Sequence, residues 1–215
     1  MAPRIIPIGR PVGFLPALLV SGLIAHAPVL RATPPAAAGT LHVSFLYMPP
    51  GEIHPTYHTA IWLEDERGQL VKTLYVTNEL SSTEYMMGEA CPDWIKQAHW
   101  EKADKAVVDA VTGPTPNVGV GALAFDLAAL GIAEGMYQFK FQVHITEKYN
   151  VLYTGKLTAG PSPQDITLEV LYSSAKPAGV TEFVREVQAR YVPATHSQEL
   201  IVSMTRSSFR SSCIL

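Results

Sequence analysis

The sequence predicts an all-β fold, an antiparallel immunoglobulin-like β-sandwich that carries a short helical insertion. Apolar and polar residues alternate in short runs along most of the chain, and turn residues separate these runs about every ten positions. One internal segment lacks the alternation. The runs would supply about six to eight strands, a number typical of two packed antiparallel sheets.

The first three strands are predicted between residues 41 and 76. From Leu41 to Tyr47, every second residue is apolar and shares one face. The run from Tyr57 to Leu63 alternates in a similar way, and the turn at Glu66-Arg67-Gly68 leads into a third strand, Gln69 to Val76. The second and third strands are therefore expected to form a hairpin.

The clearest alternation lies between Met136 and Ile145. Tyr137 and every second residue after it face one way, whereas the intervening side chains are polar: Gln138, Lys140, Gln142 and His144. Such a strand is expected to have one buried face and one wet face. Further strands are predicted at residues 123–127, 151–157, 166–172 and 184–192.

The insertion is predicted between Met86 and Val108, where alternation stops. The segment contains Cys91-Pro92-Asp93-Trp94 and a charged stretch from His99 to Lys105, and it reads as one or two short helices. Tryptophan buries a large apolar area. We therefore expect Trp94 and Trp100 to pack the insertion onto the sheet.

Three regions follow from the composition along the chain. Residues 1–38 are predicted to be a signal peptide and linker, residues 39–192 the β-sandwich domain, and residues 193–215 a disordered tail. Arg4 and Arg10 precede an uncharged stretch from Pro11 to Leu30, and small residues follow near residue 39. The tail is rich in serine and arginine and shows weak periodicity.

These features indicate a periplasmic or secreted protein, exported through an N-terminal signal peptide. A retained membrane anchor is the alternative, because about twenty uncharged residues can span a bilayer. Prolines and glycines interrupt this stretch, however, and favour cleavage. After cleavage the mature chain would have no membrane span.

Composition narrows the remaining choices. At 215 residues and 47% apolar, the chain can bury one ordinary core. The formal net charge of −3, without a cluster of basic residues, makes nucleic acid an unexpected partner. Cys91 and Cys213 are the only cysteines, and Cys213 lies in the tail, so we expect no disulfide between them.

The sequence contains no recognisable catalytic or metal-binding motif, and we expect a protein that is not an enzyme. It has no Gly-x-Ser-x-Gly, phosphate loop, dinucleotide fingerprint or His-Glu-x-x-His. On a strand, His54 and His58 would lie about 13 Å apart, too far for one metal ion unless Pro55 bends the chain. Glu64-Asp65-Glu66 is more typical of a solvated turn than of a calcium site.

Several separated motifs resemble a family of predicted periplasmic bacterial proteins known as domain-of-unknown-function family 2271. The resemblance covers about residues 41 to 192 and implies a small exported β-sandwich. Its pattern is similar to the immunoglobulin-like module of flagellar hook-capping proteins, whose function we do not carry over. The motifs are Tyr57 to Asp65, Gly68-x-Leu70-Val71-x-Thr73-Leu74, Asp109-Ala110-Val111-Thr112-Gly113-x-Thr115-Pro116, Gly135-x-Tyr137 and Thr146-Glu147-Lys148-Tyr149.

The segment from Asp109 to Thr115 also resembles the site at which a flavin transferase attaches flavin mononucleotide (FMN) to threonine. Asp109, Thr112, Gly113 and Thr115 match that pattern, and Pro114 replaces the usual alanine. The resemblance implies that Thr115 is the acceptor. The alternative is a plain turn, in which Gly113 permits a positive φ and Pro114 fixes its own φ.

Three hypotheses about function follow. The first is a non-catalytic structural or binding module that uses its sheet surface or loops. The second is a periplasmic electron carrier with FMN on Thr115, which needs a flavin transferase and a periplasmic or membrane redox partner. In that case Trp94, Trp100 and Tyr149 are expected beside the flavin ring. The third is an unrecognised hydrolase or metal protein.

Overall fold

The computed structural model describes residues 39–49, 54–82, 84–172 and 183–194. The predicted signal peptide and linker, and the tail beyond residue 194, lie outside these residues. The described part of the chain contains ten strands and three short α-helices. All of the strand pairs are antiparallel, as the alternation predicts, except one parallel pair that is two residues long.

The elements follow one another in this order. The strands are β1 (Gly39–Tyr47), β2 (His58–Glu64), β3 (Leu70–Thr77), β4 (Thr112–Gly113), β5 (Gly119–Asp126), β6 (Gly135–Thr146), β7 (Tyr149–Ala159), β8 (Gln164–Ile166), β9 (Glu169–Tyr172) and β10 (Val184–Pro193). The helices are α1 (Asn78–Ser82), α2 (Pro92–Ala98) and α3 (Lys105–Val111), and 3-10 turns cover Glu84–Met87 and Trp100–Lys102.

The strands form two sheets. The order of the four-stranded sheet is β5-β1-β10-β8, and that of the six-stranded sheet is β4-β3-β2-β6-β7-β9. The predicted β2–β3 hairpin is confirmed, with Asp65 accepting hydrogen bonds from the backbone N–H groups of Arg67 and Gln69 in its turn. A mostly-β fold in two sheets agrees with the predicted all-β class.

One predicted strand is wrong in a way that joins the sheets. Residues 166–172 do not form one strand, because β8 pairs with β10 in the four-stranded sheet and β9 pairs with β7 in the other. Gly155 of β7 makes room for the crossing chain, since a Cβ there would lie 2.6 Å from both Ile166 Cγ2 and the Thr167 carbonyl oxygen. The chain thus changes sheets within two residues.

A core of aromatic residues fills the space between the inner faces. The Phe45 and Phe141 rings lie 5.2 Å apart, and the Tyr47 and Tyr57 rings are stacked at 4.4 Å. Along β1, which carries Phe45 and Tyr47, buried and more exposed residues alternate, as the sequence predicts. Offset and tilted ring pairs of this kind stabilise cores beyond the area they bury.

The outer face of the six-stranded sheet carries a second core. The helical insertion covers it, and Trp94 and Trp100 are buried with their rings 5.0 Å apart, as expected. The predicted wet face of β6 is therefore wrong for Gln142 and His144, which are both buried. The alternation shows which face of a strand is polar but not what covers that face. Here the polar face of β6 packs against the polar backbone of the insertion rather than facing solvent.

Candidate functional site

The segment from Asp109 to Thr115 runs from the end of α3 through β4 into a loop. Asp109 lies on α3 and forms an ion pair with Lys105, with 2.9 Å between Oδ2 and Nζ. Both side chains are largely exposed, so the pair adds little stability. Of the four predicted site residues, Asp109 thus lies on α3, Thr112 and Gly113 form β4, and Thr115 lies in the loop that follows.

Thr112 ends the helix with its side chain. Its Oγ1 donates a hydrogen bond to the Val108 carbonyl oxygen at 2.6 Å, and its backbone N–H bonds to the same carbonyl. Thr112 and Gly113 then pair in parallel with Val76 and Thr77 of β3. The Thr112 hydroxyl is therefore committed to the helix end.

Gly113 is required by the approach of an aromatic ring. A Cβ at this position would lie 2.5 Å from Tyr75 Cε2. Gly113 does not use the positive φ that glycine permits, because it is not among the residues with positive φ. The Tyr75 hydroxyl donates to the Pro114 carbonyl oxygen, and burial raises the pKa of Tyr75 to about 12, which keeps this donor protonated.

Thr115 follows this fixed turn and differs from its neighbours. Its side chain is half-buried and makes no hydrogen bond within the described part of the chain. Among the threonines of the predicted FMN motif, it is the one with an uncommitted hydroxyl. The geometry of the segment therefore separates Thr112, which is structural, from Thr115.

The aromatic residues expected beside a flavin are not available there. Trp94 and Trp100 are buried in the second core, and Tyr149 is buried in the first. Tyr149 also lies on β7, four strands from β4, which corresponds to roughly 19 Å across a sheet. The expectation that these rings pack beside a flavin on Thr115 is wrong.

A buried pair of histidines lies beneath the insertion. The β2–β6 register places His58 directly opposite His144, and their rings stack with centroids 6.0 Å apart. His58 Nε2 bonds to Glu79 Oε2 of α1 at 2.8 Å. His58 is only 4% exposed, whereas His54, the residue with which the sequence suggested it could pair, is exposed.

Both ring nitrogens of His144 have partners. Nε2 lies 2.7 Å from the Glu147 carbonyl oxygen, to which it must donate, and Nδ1 lies 2.8 Å from Thr56 Oγ1. Burial lowers the pKa of His144, the Glu147 carbonyl raises it in part, and His58 lowers it further. His144 is therefore neutral near pH 7, and the Thr56 hydroxyl has two acceptors within reach, Nδ1 and the His144 carbonyl oxygen at 3.1 Å.

Amide side chains fasten the insertion beside the histidines. Asn150 Oδ1 accepts from the Cys91 N–H, and Asn150 Nδ2 donates to the Glu89 carbonyl oxygen, both at 2.8 Å. Gln142 Nε2 donates to Asp93 Oδ2 at 2.6 Å. The polar side-chain atoms of this network thus form hydrogen bonds with other parts of the protein. The exception among the described residues is His58 Nδ1, which is buried and has no hydrogen-bond partner.

Neither a metal site nor a membrane-spanning helix is found in the described residues. No group of three or more His, Cys, Asp and Glu side chains there is arranged to hold a metal ion. Of the predicted acidic run, Glu64 is buried and accepts from Trp62 Nε1 at 2.8 Å. No helix in the residues searched is long and apolar enough to cross a bilayer.

Comparison with known proteins identifies the family. A family model described as "Predicted periplasmic protein (DUF2271)" matches residues 40–169, more than half of the chain. No match is found among curated proteins or among solved structures. The match runs from β1 through β8 and includes the whole insertion, the paired histidines and the segment from Asp109 to Thr115. The chain belongs to the DUF2271 family of predicted periplasmic proteins.

Proposed function

We propose that the protein is an exported, non-catalytic binding module built on an immunoglobulin-like sandwich. The polar network beneath the insertion supports a structural role for its histidines and amides, because their atoms bond to neighbouring elements rather than converge on open space. Catalytic sites instead need an acid, a base or a nucleophile facing a substrate. The rigid scaffold then presents its binding groups on a surface turn.

The observation that carries this proposal is the exposed methionine pair on the insertion. Met86 and Met87 lie on the 3-10 turn between α1 and α2, with 70% and 66% of their surfaces exposed. Methionine side chains are flexible and polarisable, and they occur at surfaces that bind apolar partners. Two adjacent, largely exposed methionines on an anchored turn therefore favour a binding surface.

The charges around this turn define the partner. Residues 79–90 contain three glutamates and no basic residue. Glu84 and Glu89 both act electrostatically on His144, and Glu147 contacts its ring, so these residues gather around the paired histidines. Apolar methionines with Glu84 and Glu89 close by in sequence are complementary to a protein segment that combines apolar and basic side chains.

A comparison of retained proteins tests this surface. Immobilised wild-type protein is expected to retain a partner from periplasmic extract at low salt, and the double variant Met86→Ser/Met87→Ser to retain at least about tenfold less. Met136→Ser is the matched control, because Met136 is equally apolar and 58% exposed but lies on β6. Equal retention by the double variant and the control would contradict the proposed surface.

A second candidate function is an electron carrier with FMN on Thr115. It is favoured by the uncommitted Thr115 hydroxyl directly after a turn that the Tyr75 ring and hydroxyl hold in place. Thr115 Oγ1 would form a phosphodiester with the FMN phosphate, with a flavin dinucleotide as donor, AMP as leaving group and the hydroxyl proton passing to the transferase. The bound flavin would then exchange electrons with a periplasmic or membrane redox partner.

Intact mass separates this candidate from the first. After co-expression with a flavin transferase, the wild-type chain is expected to gain one flavin mononucleotide group, and Thr115→Ala to gain none. Thr158→Val is the control and should still be labelled, because Thr158 is exposed on β7, outside the segment from Asp109 to Thr115. Absence of labelling on wild type, under conditions that modify a known acceptor protein, excludes the flavin function but leaves the methionine surface untouched.

A further inference from the structure

One edge of the sandwich differs from the other three. At the edges of the two sheets lie β4 with two residues, β8 with three, β9 with four and β5 with eight. Native proteins shorten, charge or cover the edges of sheets, because unpaired N–H and C=O groups attract other strands. Three edges follow this rule by their length, whereas β5 does not.

The composition of β5 gives it no other protection. From Gly119 to Phe125 the strand has neither a charged residue nor a proline. Val120 is 81% exposed, the highest value among the large apolar residues of the described chain, and Val118 just before the strand is also exposed. A long, uncharged edge with exposed valines is a template for strand pairing.

The template is held firmly in place. β5 pairs with β1 at eight successive positions, from Asp126 opposite Thr40 to Gly119 opposite Tyr47. Gly121 lies against the Phe45 ring, where a Cβ would come within 2.1 Å of Phe45 Cε2, and Phe125 belongs to the core. β5 would therefore lose little conformational freedom when a partner strand binds to it.

We propose that β5 pairs in antiparallel fashion with β5 of a second copy of this chain, around a two-fold axis at Ala122. In this register Phe125 lies opposite the partner's Gly119, and Leu123 opposite the partner's Gly121. Each bulky inward residue thus meets a glycine. On the outer face, Val120 meets the partner's Ala124. The alternation of the described strand supports this assignment, since its odd-numbered residues are the more buried ones.

Charge also permits the symmetric register. Asp126 is the one charged residue of β5, and it lies opposite Val118 of the other copy. The two Asp126 side chains are then eight positions apart along the strand direction, about 27 Å. A two-fold axis repeats every contact, so large-against-small packing occurs twice. The two four-stranded sheets would join into one continuous sheet of eight strands.

Molar mass as a function of concentration tests the dimer. In light scattering after size exclusion, the exported wild-type chain is expected to approach twice the monomer mass as concentration rises a hundredfold. Val120→Lys and Ala124→Lys should each remain monomeric over that range, because a lysine on an edge strand opposes pairing with another strand. Both positions are exposed, so the folded monomer should tolerate the lysine. Met136→Lys on β6 is the matched control and should dimerise like wild type.

Amide exchange of residues 119–126 provides the second measurement. We expect their protection to increase with concentration in wild type and not in Val120→Lys. A wild-type chain that is monomeric throughout, or a dimer unaffected by both lysine variants, overturns the proposal. Strong protection in the monomer of the amides that point away from β1 also overturns it, since another segment of the same chain would then cover the free edge of β5. The proposed methionine surface is separate, so Met86→Ser/Met87→Ser should dimerise normally.

Discussion

Trp94→Ala is expected to lower the free energy of unfolding by about 3–5 kcal/mol. Trp94 is 0% exposed, contacts Trp100 in the second core and donates from Nε1 to Thr73 Oγ1. Truncation removes the one buried side chain of α2 and leaves a cavity between this short helix and the six-stranded sheet. Urea denaturation followed by circular dichroism measures the loss.

Two further variants make this result specific. Trp94→Phe should cost less than alanine, because most of the ring contact remains while the hydrogen bond to Thr73 is lost. Met136→Ala lies on an exposed position and should change stability by no more than about 0.5 kcal/mol. If Trp94→Ala were as mild as Met136→Ala, the insertion would not be packed on the sheet in solution.

Acid is expected to destabilise the folded protein through His144. Burial lowers the pKa of His144 below the value of about 6.5 that it has in the unfolded chain. The unfolded state therefore binds a proton first as the pH falls. The stability of the neutral, folded form is complete above about pH 6.5 and declines as pH falls toward the lowered pKa.

The size of this effect has an upper bound. One differentially bound proton changes the free energy of unfolding by at most about 1.4 kcal/mol per pH unit. His58, Glu84, Glu89 and the Glu147 carbonyl surround His144, and the nearby glutamates and the carbonyl offset part of the burial while His58 adds to it. We therefore expect a slope of this sign and of smaller magnitude between pH 7 and pH 5.

The variant His144→Asn tests the assignment. Its unfolding free energy should vary less with pH between 7 and 5 than that of wild type, whatever its absolute stability. His42→Asn is the control, because His42 is exposed on the outer face of β1. An unchanged pH dependence in His144→Asn, together with a reduced one in His42→Asn, would place the sensitive group elsewhere.

Local sequence patterns predicted most of the strands and the β2–β3 hairpin, but none of the pairings between strands far apart in the chain. The period of two marks β1, β2 and β6, and the Asp65 turn fixes the β2–β3 hairpin. The pairing of β1 with β10 joins residues about 150 positions apart, and nothing local in either strand specifies it. The sequence also does not show the split between β8 and β9, because the alternation of apolar and polar residues continues almost unbroken where the chain passes from one sheet to the other.

The site was predicted in part. The motif around Thr115 was visible as a sequence, but the role of Gly113 depends on the Tyr75 ring, which comes from another strand. The histidine pair was missed because His58 and His144 are opposite only through the β2–β6 register. The signal that could have found them is the strand register, because once β2 is paired with β6 each residue of β2 has one opposite residue on β6.

The position of Cys91 has a consequence for life in an oxidising compartment. Its thiol is fully buried, its Sγ lies 3.4 Å from the His58 carbonyl oxygen, and burial raises its pKa well above the usual range. Disulfide exchange requires an accessible thiolate, and the folded protein offers neither the charge nor the access. Once folded, the chain can therefore remain among oxidants and disulfide-forming enzymes without mispairing through this residue.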